Sequence, residues 1–424
     1  VSPCLVTLAT RVGTNSQGGT EMTVGVAGLV FWILVALATV TSLVTAWTLG
    51  ANSNSPPFAP AIGAQAISTM KAAFLIGILA ALGALTQGGS ISATVGSGLV
   101  ANAQITSLGA IAGLLTATGF MAFGVYSGYP VPAAFATTGA MVGVGLSLGG
   151  DPVYSTYQRI ALFWVLVPPI SGGLAYLTAK VLRRDDIPET LGVPILAAVV
   201  GAIVANIPLG VIPAPAGDQQ GTIAGVVRLL VDSAVLQTAG ELLVTLLVAA
   251  VSFRFIRQRT QDSVDRGIKT FLVLLGSVVA FSSGGSQVGL ATGPLENLYS
   301  VELGVPGIAL LALGAVGILG GVWMGAPRLL QATSREYAQL GTRRSIAALV
   351  PGFIIAQVAI TLGIPISFNN IIISGVIGAG LAGGKAGVSR RKIGVTVVFW
   401  FITLASSTAI GFGLYRAFAT VLGV

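Results

Sequence analysis

Long apolar stretches separated by short polar or basic connections run from one end of the chain to the other. They fall near 24–48, 66–87, 104–125, 131–148, 158–182, 192–212, 234–254, 267–282, 303–325, 345–361, 366–383 and 393–421. A helix of about 20 apolar residues crosses the roughly 30 Å hydrocarbon core of a bilayer. The runs are continuous and rich in Ala, Leu and Gly, without the in/out alternation of a transmembrane barrel. The pattern predicts an all-α polytopic membrane protein with about 12 transmembrane helices. Residues 1–23 precede the first span as a polar N-terminal tail with no compact apolar core, so they do not read as a signal peptide and are expected to be disordered.

Two kinds of interruption break this pattern, and each occurs twice. The segment GANSNSPPFAPAIG (50–63) places Asn, Ser and Pro where a span should continue, and Gly50-Ala51-Asn52-Ser53 finds an echo in Gly284-Gly285-Ser286-Gln287, 234 residues later. GYPVPAAFATTGAMVGVG (128–145) finds one in GIPISFNNIIISGVIGAG (363–380): Gly128, Pro130, Gly143 and Gly145 land on Gly363, Pro365, Gly378 and Gly380. Seven spans separate the first from its counterpart, and an odd number reverses direction, so the halves form an inverted repeat. The expected organisation is a first repeat over 24–190, connecting spans over 191–256 and a second repeat over 257–424. Two re-entrant broken-helix hairpins, near 50–64 and 284–297, would meet around the midplane.

Charge orients this plan. Only 8% of the residues are charged, against about 25% in soluble domains. The net charge of +8 comes from clusters at Arg183–Arg184, at Arg254 to Lys269, at Arg328 to Arg344 and at Lys385 to Lys392. These occupy every second loop, which places them on the cytoplasmic side and both termini outside. The clusters are therefore read as topology and lipid-headgroup contacts, with no nucleic-acid partner expected. The chain has no histidine and one cysteine, Cys4, which excludes Cys/His metal sites and His-based triads. No P-loop is present, and no enzymatic activity or resident cofactor is expected.

Short Gly/Pro-interrupted segments at matching positions of two inverted halves point to a transporter's substrate site. Broken helices offer free N–H groups and partial positive charge to an anion. The candidate substrate-binding residues are Asn52, Ser53, Asn54 and Ser55 in the first segment and Ser283, Ser286 and Gln287 in the second. Ser367, Asn369 and Asn370 join them from the second GxPxS-like stretch. Capping of the broken helices is the alternative role for each. Thr137 and Thr138 are weaker candidates, and Phe368 is a candidate cavity wall. Two carboxylates near spans, Glu241 and Glu296, are candidates for handling a coupling ion.

GANSNSPPFAPAIG resembles the signature of the inorganic phosphate transporter (PiT) family, GANDxANxFGTxxG. FSSGGSQVGLATGPL (281–295) is similar to its second copy, FxHGANDxANAxGPL. The 128–145 and 363–380 stretches resemble the family's GxPxSTTHxxxGAxxGxG element. The resemblance touches both halves and implies a secondary-active oxyanion permease that works by alternating access, carrying phosphate with sodium or protons. The departures are specific: Ser53 and Gln287 stand where the family pattern has Asp. In this the chain resembles the family's sulfate-permease branch, and it lacks the carboxylates that would most readily hold sodium. Sulfate is therefore the alternative substrate, and a passive anion channel a more distant one. The remaining expected partners are membrane lipid and a second copy of the chain, in the plasma membrane.

Overall fold

Backbone N–H and C=O groups inside hydrocarbon must find partners within the protein, and a helix provides them within one segment. The computed structural model of the protein meets this requirement almost throughout. It describes residues 17–54, 56–127, 131–184, 186–214, 220–383 and 390–423. Most of the expected tail, and Ser55, Gly128, Pro130 and Lys385, lie outside the described residues. In chain order the helices are α1 (Gln17–Ser53), α2 (Ala59–Gly63), α3 (Thr69–Gln87), α4 (Gly89–Ser97), α5 (Ser107–Ser127), α6 (Ala133–Ser147) and α7 (Tyr154–Val181). There follow α8 (Glu189–Ala205), α9 (Ala234–Asp262), α10 (Val264–Thr292), α11 (Gly307–Leu340), α12 (Thr342–Thr361), α13 (Phe368–Leu381) and α14 (Arg390–Leu422). Two-residue strands β1 (Val100–Ala101) and β2 (Asp151–Pro152) pair antiparallel.

Among the described residues, nine helices are long and apolar enough to cross a membrane, and three shorter apolar helices, α6, α8 and α13, fill the remaining expected positions. Three boundaries differ from expectation. α1 begins at Gln17, inside the expected tail. α4 is a short helix in the connection between the spans expected at 66–87 and 104–125. The segment 284–297 was expected to form a hairpin, yet α10 continues unbroken to Thr292, and the ladder loosens only at the 3-10 turn Gly293–Leu295. The reason lies in proline placement. Pro56 and Pro57 stop α1 in the middle of the first signature, whereas the second signature meets its first proline only at Pro294.

The inversion is visible in how helices pack. α1 and α10 run antiparallel: Ser42 donates to the Ala291 carbonyl, Ser283 donates to Asn54, and Phe58 lies against Gly276. α1 packs along α11 and α10 along α3. Further on, α6 packs along α14 and α13 along α7. Each helix thus has its main partner in the other half, and exchanging the halves reproduces both pairs.

The glycines that carried the repeat in the sequence sit at these exchanged contacts. A Cβ on Gly50 would lie 2.3 Å from the Ile318 carbonyl oxygen, and on Gly284, 1.9 Å from that of Ala80. On Gly143 it would lie 2.1 Å from the Thr408 oxygen, and on Gly378, 1.9 Å from that of Gly172. Small residues let membrane helices approach backbone to backbone, where van der Waals packing replaces the missing hydrophobic drive. Gly378→Val should therefore destabilise the protein in detergent by more than about 3 kcal/mol, beyond ordinary overpacking. Gly119→Val, at a position with nothing within 4 Å, should leave the unfolding temperature nearly unchanged. Thermal unfolding of the two variants side by side checks this.

Candidate functional site

The end of α1 is set by the proline pair, which leaves Asn52, Ser53 and Asn54 at a helix terminus inside the protein. All three are buried, with 3%, 2% and 0% of their surfaces exposed. Ser283 Oγ donates to Asn54 Oδ1 at 2.5 Å and so fixes the α1–α10 crossing. One turn further along α10 lie Ser286 and Gln287, fully buried. The two signature copies therefore meet side by side, as the repeat implied.

What distinguishes this crossing is the polar atoms it leaves unanswered. Asn52 Nδ2, Ser53 Oγ, Ser286 Oγ and both side-chain polar atoms of Gln287 are buried without a hydrogen-bond partner in the protein. Asn52 corresponds to Ser286 and Ser53 to Gln287 at the repeat offset of 234. Thr137 Oγ1, Thr138 Oγ1 and Asn370 Oδ1, on the repeat-related helices α6 and α13, are in the same condition. Leaving a buried polar group unsatisfied costs about 1–3 kcal/mol. Structural polar groups are nearly always paired, so these unpaired ones make the crossing the candidate site.

α6 and α13 bring helix starts to the same region. The β1–β2 pair holds the end of α6 beside the segment that leads into α5. With 15 residues against 21 in α5, α6 begins about 9 Å short of the far end of its partner. α13, with 14 residues against 20 in α12, repeats the arrangement. α6 touches α10, and α13 touches the Pro56–Phe58 turn. The first residues of both helices are buried, and their unfilled N–H groups carry partial positive charge.

The alternative role of capping divides the candidates: Asn54 Nδ2 donates to the Leu49 carbonyl at 3.5 Å, at the end of α1. Ser367 occupies the N-cap of α13 without a side-chain cap bond, and Phe58 stands at the N-cap of α2. Ser367 and Asn369 are buried at the start of α13, and Phe368 is buried between them. Phe135 stacks on Trp164 at 3.7 Å, and Trp164 Nε1 donates to the Pro365 carbonyl at 2.7 Å, joining α6, α7 and the approach to α13. An apolar groove of about 380 Å³ lies elsewhere, against Pro168, Gly172, Tyr176, Ile377 and Trp400.

The sequence reading missed a set of amides beside the crossing. Gln357 Nε2 donates to Ser282 Oγ, and Gln87 Nε2 approaches Gln357 Oε1 at 3.4 Å. Gln87 Oε1 is buried without a partner. Both glutamines sit alone in apolar helices outside the repeated motifs, and a lone polar residue in a span was the only available signal. The two carboxylate candidates part company. Glu241 is held by Arg228 of the Ala224–Leu229 turn, with Arg228 Nη2 donating to Oε2 at 3.2 Å. Glu296 follows the Gly293–Leu295 break, where burial raises its carboxyl above the ordinary range and Ser92 pulls it back.

Two outcomes test this assignment. Gln287→Leu should abolish transport yet raise the unfolding temperature, because it removes two unpaired buried atoms; a capping or packing role would lower that temperature. Glu241→Gln, at a partly exposed ion pair, should cost no more than about 1 kcal/mol of stability and leave the transport rate unchanged. Uptake assays beside thermal unfolding read both.

A family model described as "Phosphate transporter family" matches residues 49–411. Over 407 residues the chain is 25% identical to the "Putative phosphate permease" of Pyrococcus horikoshii, covering 88% of this chain and 94% of that protein. Over 398 residues it is 26% identical to "Inorganic phosphate transporter 2-1, chloroplastic" of Arabidopsis thaliana, covering 85% of this chain and 68% of that one. A solved structure described as "The sodium-dependent phosphate transporter" shares the fold, with a TM-score of 0.75 at 23% identity over 92% of this chain and 100% of that chain. Both signature segments and both recessed helices lie within the matched residues, and the chain belongs to the phosphate transporter family.

Proposed function

We propose that this protein carries inorganic phosphate across a membrane by secondary-active alternating access, around a site at the α1–α10 crossing. The observation that carries this reading is the symmetric set of buried, unpartnered polar atoms on Asn52, Ser53, Ser286 and Gln287. A tetrahedral oxyanion accepts hydrogen bonds on every oxygen. The Asn52 and Gln287 amides, the Ser53 and Ser286 hydroxyls and the starts of α6 and α13 are donors for it. Inverted halves with exchanged helices provide the rocking pair, since each half can tilt against the other around a site they share. The basic loops place the cytoplasmic side, and the plasma membrane, with both termini outside, is the expected location.

Phosphate is favoured over sulfate by the acceptors at the same place. Gln287 Oε1 and Asn370 Oδ1 are carbonyl oxygens without donors, and phosphate near neutral pH brings a P–OH to donate. Sulfate brings none and would leave them unpaired. The sulfate reading rests on a different observation: Ser53 and Gln287 stand where the resembled signature has carboxylates, which gives a site richer in donors. The coupling ion, sodium or proton, is considered below.

Reconstitution in liposomes separates these readings. Labelled phosphate should be taken up saturably, with unlabelled sulfate competing poorly. Ser53→Ala should raise the KM for phosphate about tenfold or more, as expected for losing one hydrogen bond to a charged ligand. Sulfate uptake that resists phosphate competition would establish the second reading. Uptake of neither anion under sodium or proton gradients would overturn both.

A further inference from the structure

Moving an anion into a compartment at negative potential requires a compensating cation, yet the polar crossing carries no carboxylate to hold or exchange one. Of the two carboxylate candidates, Glu241 is neutralised by Arg228. Glu296 is different. It directly follows the 3-10 turn Gly293–Leu295 on the helix that carries Ser283, Ser286 and Gln287. Its Oε2 is buried with no hydrogen-bond partner. α4 lies against this break so closely that a Cβ on Gly96 would sit 2.4 Å from the Gly293 carbonyl and 3.1 Å from Glu296 Oε2. Ser92, on the same helix, faces the carboxyl, and its hydroxyl lies 3.5 Å from that of Thr292.

The surroundings offer no counter-charge. The elements packed on the break are α1, α4, α5 and α10. Neither α4 nor α5 contains a charged residue. The charged residues of α10, which are Asp265, Arg266 and Lys269, lie in its opposite first turns. The one charge on α1 is Glu21, about five turns from Thr39, and Thr39 shares a 2.7 Å hydrogen bond with Tyr299. Glu302, at the end of the following π-helical turn, is itself raised by burial and offers no positive charge. Among the described residues no Lys or Arg pairs with Glu296. Glu296 is half-buried overall, and the burial of its Oε2 without a partner disfavours the ionised form, against the opposing hydrogen bond from Ser92.

We propose that Glu296 is the proton-carrying carboxyl that couples phosphate movement to the proton gradient, an inference that rests on the transport function proposed above. With the site open to the uptake side, an O–H bond forms at Oε2 with a proton from water. The neutral carboxyl then lets α4 and the break close without burying a charge. With the site open to the release side, the same O–H bond breaks and the proton returns to water, while phosphate passes unaltered. Glu296 is not among the residues that hold the anion, so coupling and anion exchange are separable.

The test uses the full chain in liposomes with the membrane potential clamped at zero. Wild type is expected to accumulate labelled phosphate up to about tenfold for one pH unit, interior alkaline, if one proton moves with each anion. It should also exchange labelled for unlabelled phosphate at equal pH. E296Q should lose accumulation but continue exchange within a few-fold of wild type, and E296D should restore accumulation. Proton-driven accumulation in E296Q, or loss of exchange together with accumulation in a folded E296Q protein, would overturn the proposal. So would accumulation by wild type that follows a sodium gradient and ignores pH. Wild type that neither exchanges nor accumulates phosphate would instead bring down the transport reading itself, and this inference with it.

Discussion

A polar group surrounded by hydrocarbon or buried protein must be paired, and the whole architecture follows from where the chain satisfies that demand and where it withholds satisfaction. Along most of its length the helix ladder pairs the backbone, and Ser and Thr side chains bond back one turn, as Thr45, Thr116 and Ser374 do. At the α1–α10 crossing the α1 ladder ends, and Asn52 Nδ2, Ser53 Oγ, Ser286 Oγ and the Gln287 amide remain unanswered. An unpaired group there lowers stability, and it recurs at equivalent positions of both halves. A polar ligand bound at the crossing, as proposed above, would restore that lost energy.

The same constraint explains why helices from opposite halves pair. Hydrocarbon gives no hydrophobic reward for bringing two helices together, so contact has to be made close through small residues. Gly50 and Gly284, and Gly143 and Gly378, each admit a backbone from the other half at distances that any side chain would forbid. These contacts lock α1 to α11, α10 to α3, α6 to α14 and α13 to α7. They also place the short helices α6 and α13 with their starts recessed toward the crossing. Packing and site are thus one construction, and the glycines that hold the halves together also decide where the donors point.

The symmetry is incomplete in ways that matter chemically. The first signature is cut by Pro56–Pro57, while the second stays helical to Thr292 and loosens at Gly293–Leu295, immediately before Glu296. Gln87 and Gln357 approach Ser282 with no matching amides in the other half, where Gly321 and Ala122 stand at the repeat-equivalent positions. Two-fold related donors suit a tetrahedral anion, whereas a single titratable group at one break suits a step in which only one proton moves.

The sequence by itself determined the order of the apolar helices, because hydrophobic runs must be long enough to cross the bilayer; the short helices α2 and α4 carry no such signal. It also determined the repeat, since close-approach glycines and helix-ending prolines are local requirements written at fixed spacing. The candidates Asn52, Ser53, Ser286 and Gln287 were legible for the same reason, being polar residues where the pattern demanded apolar ones. Tertiary structure alone decided the rest. Whether a buried Ser or Gln is paired depends on atoms hundreds of residues away, as the bond from Ser283 to Asn54 illustrates. The same dependence separates Glu241, answered by Arg228, from Glu296, which has no such answer. It also drew Gln87 and Gln357 to the crossing, because partner choice is a property of the assembled helices and no single span encodes it.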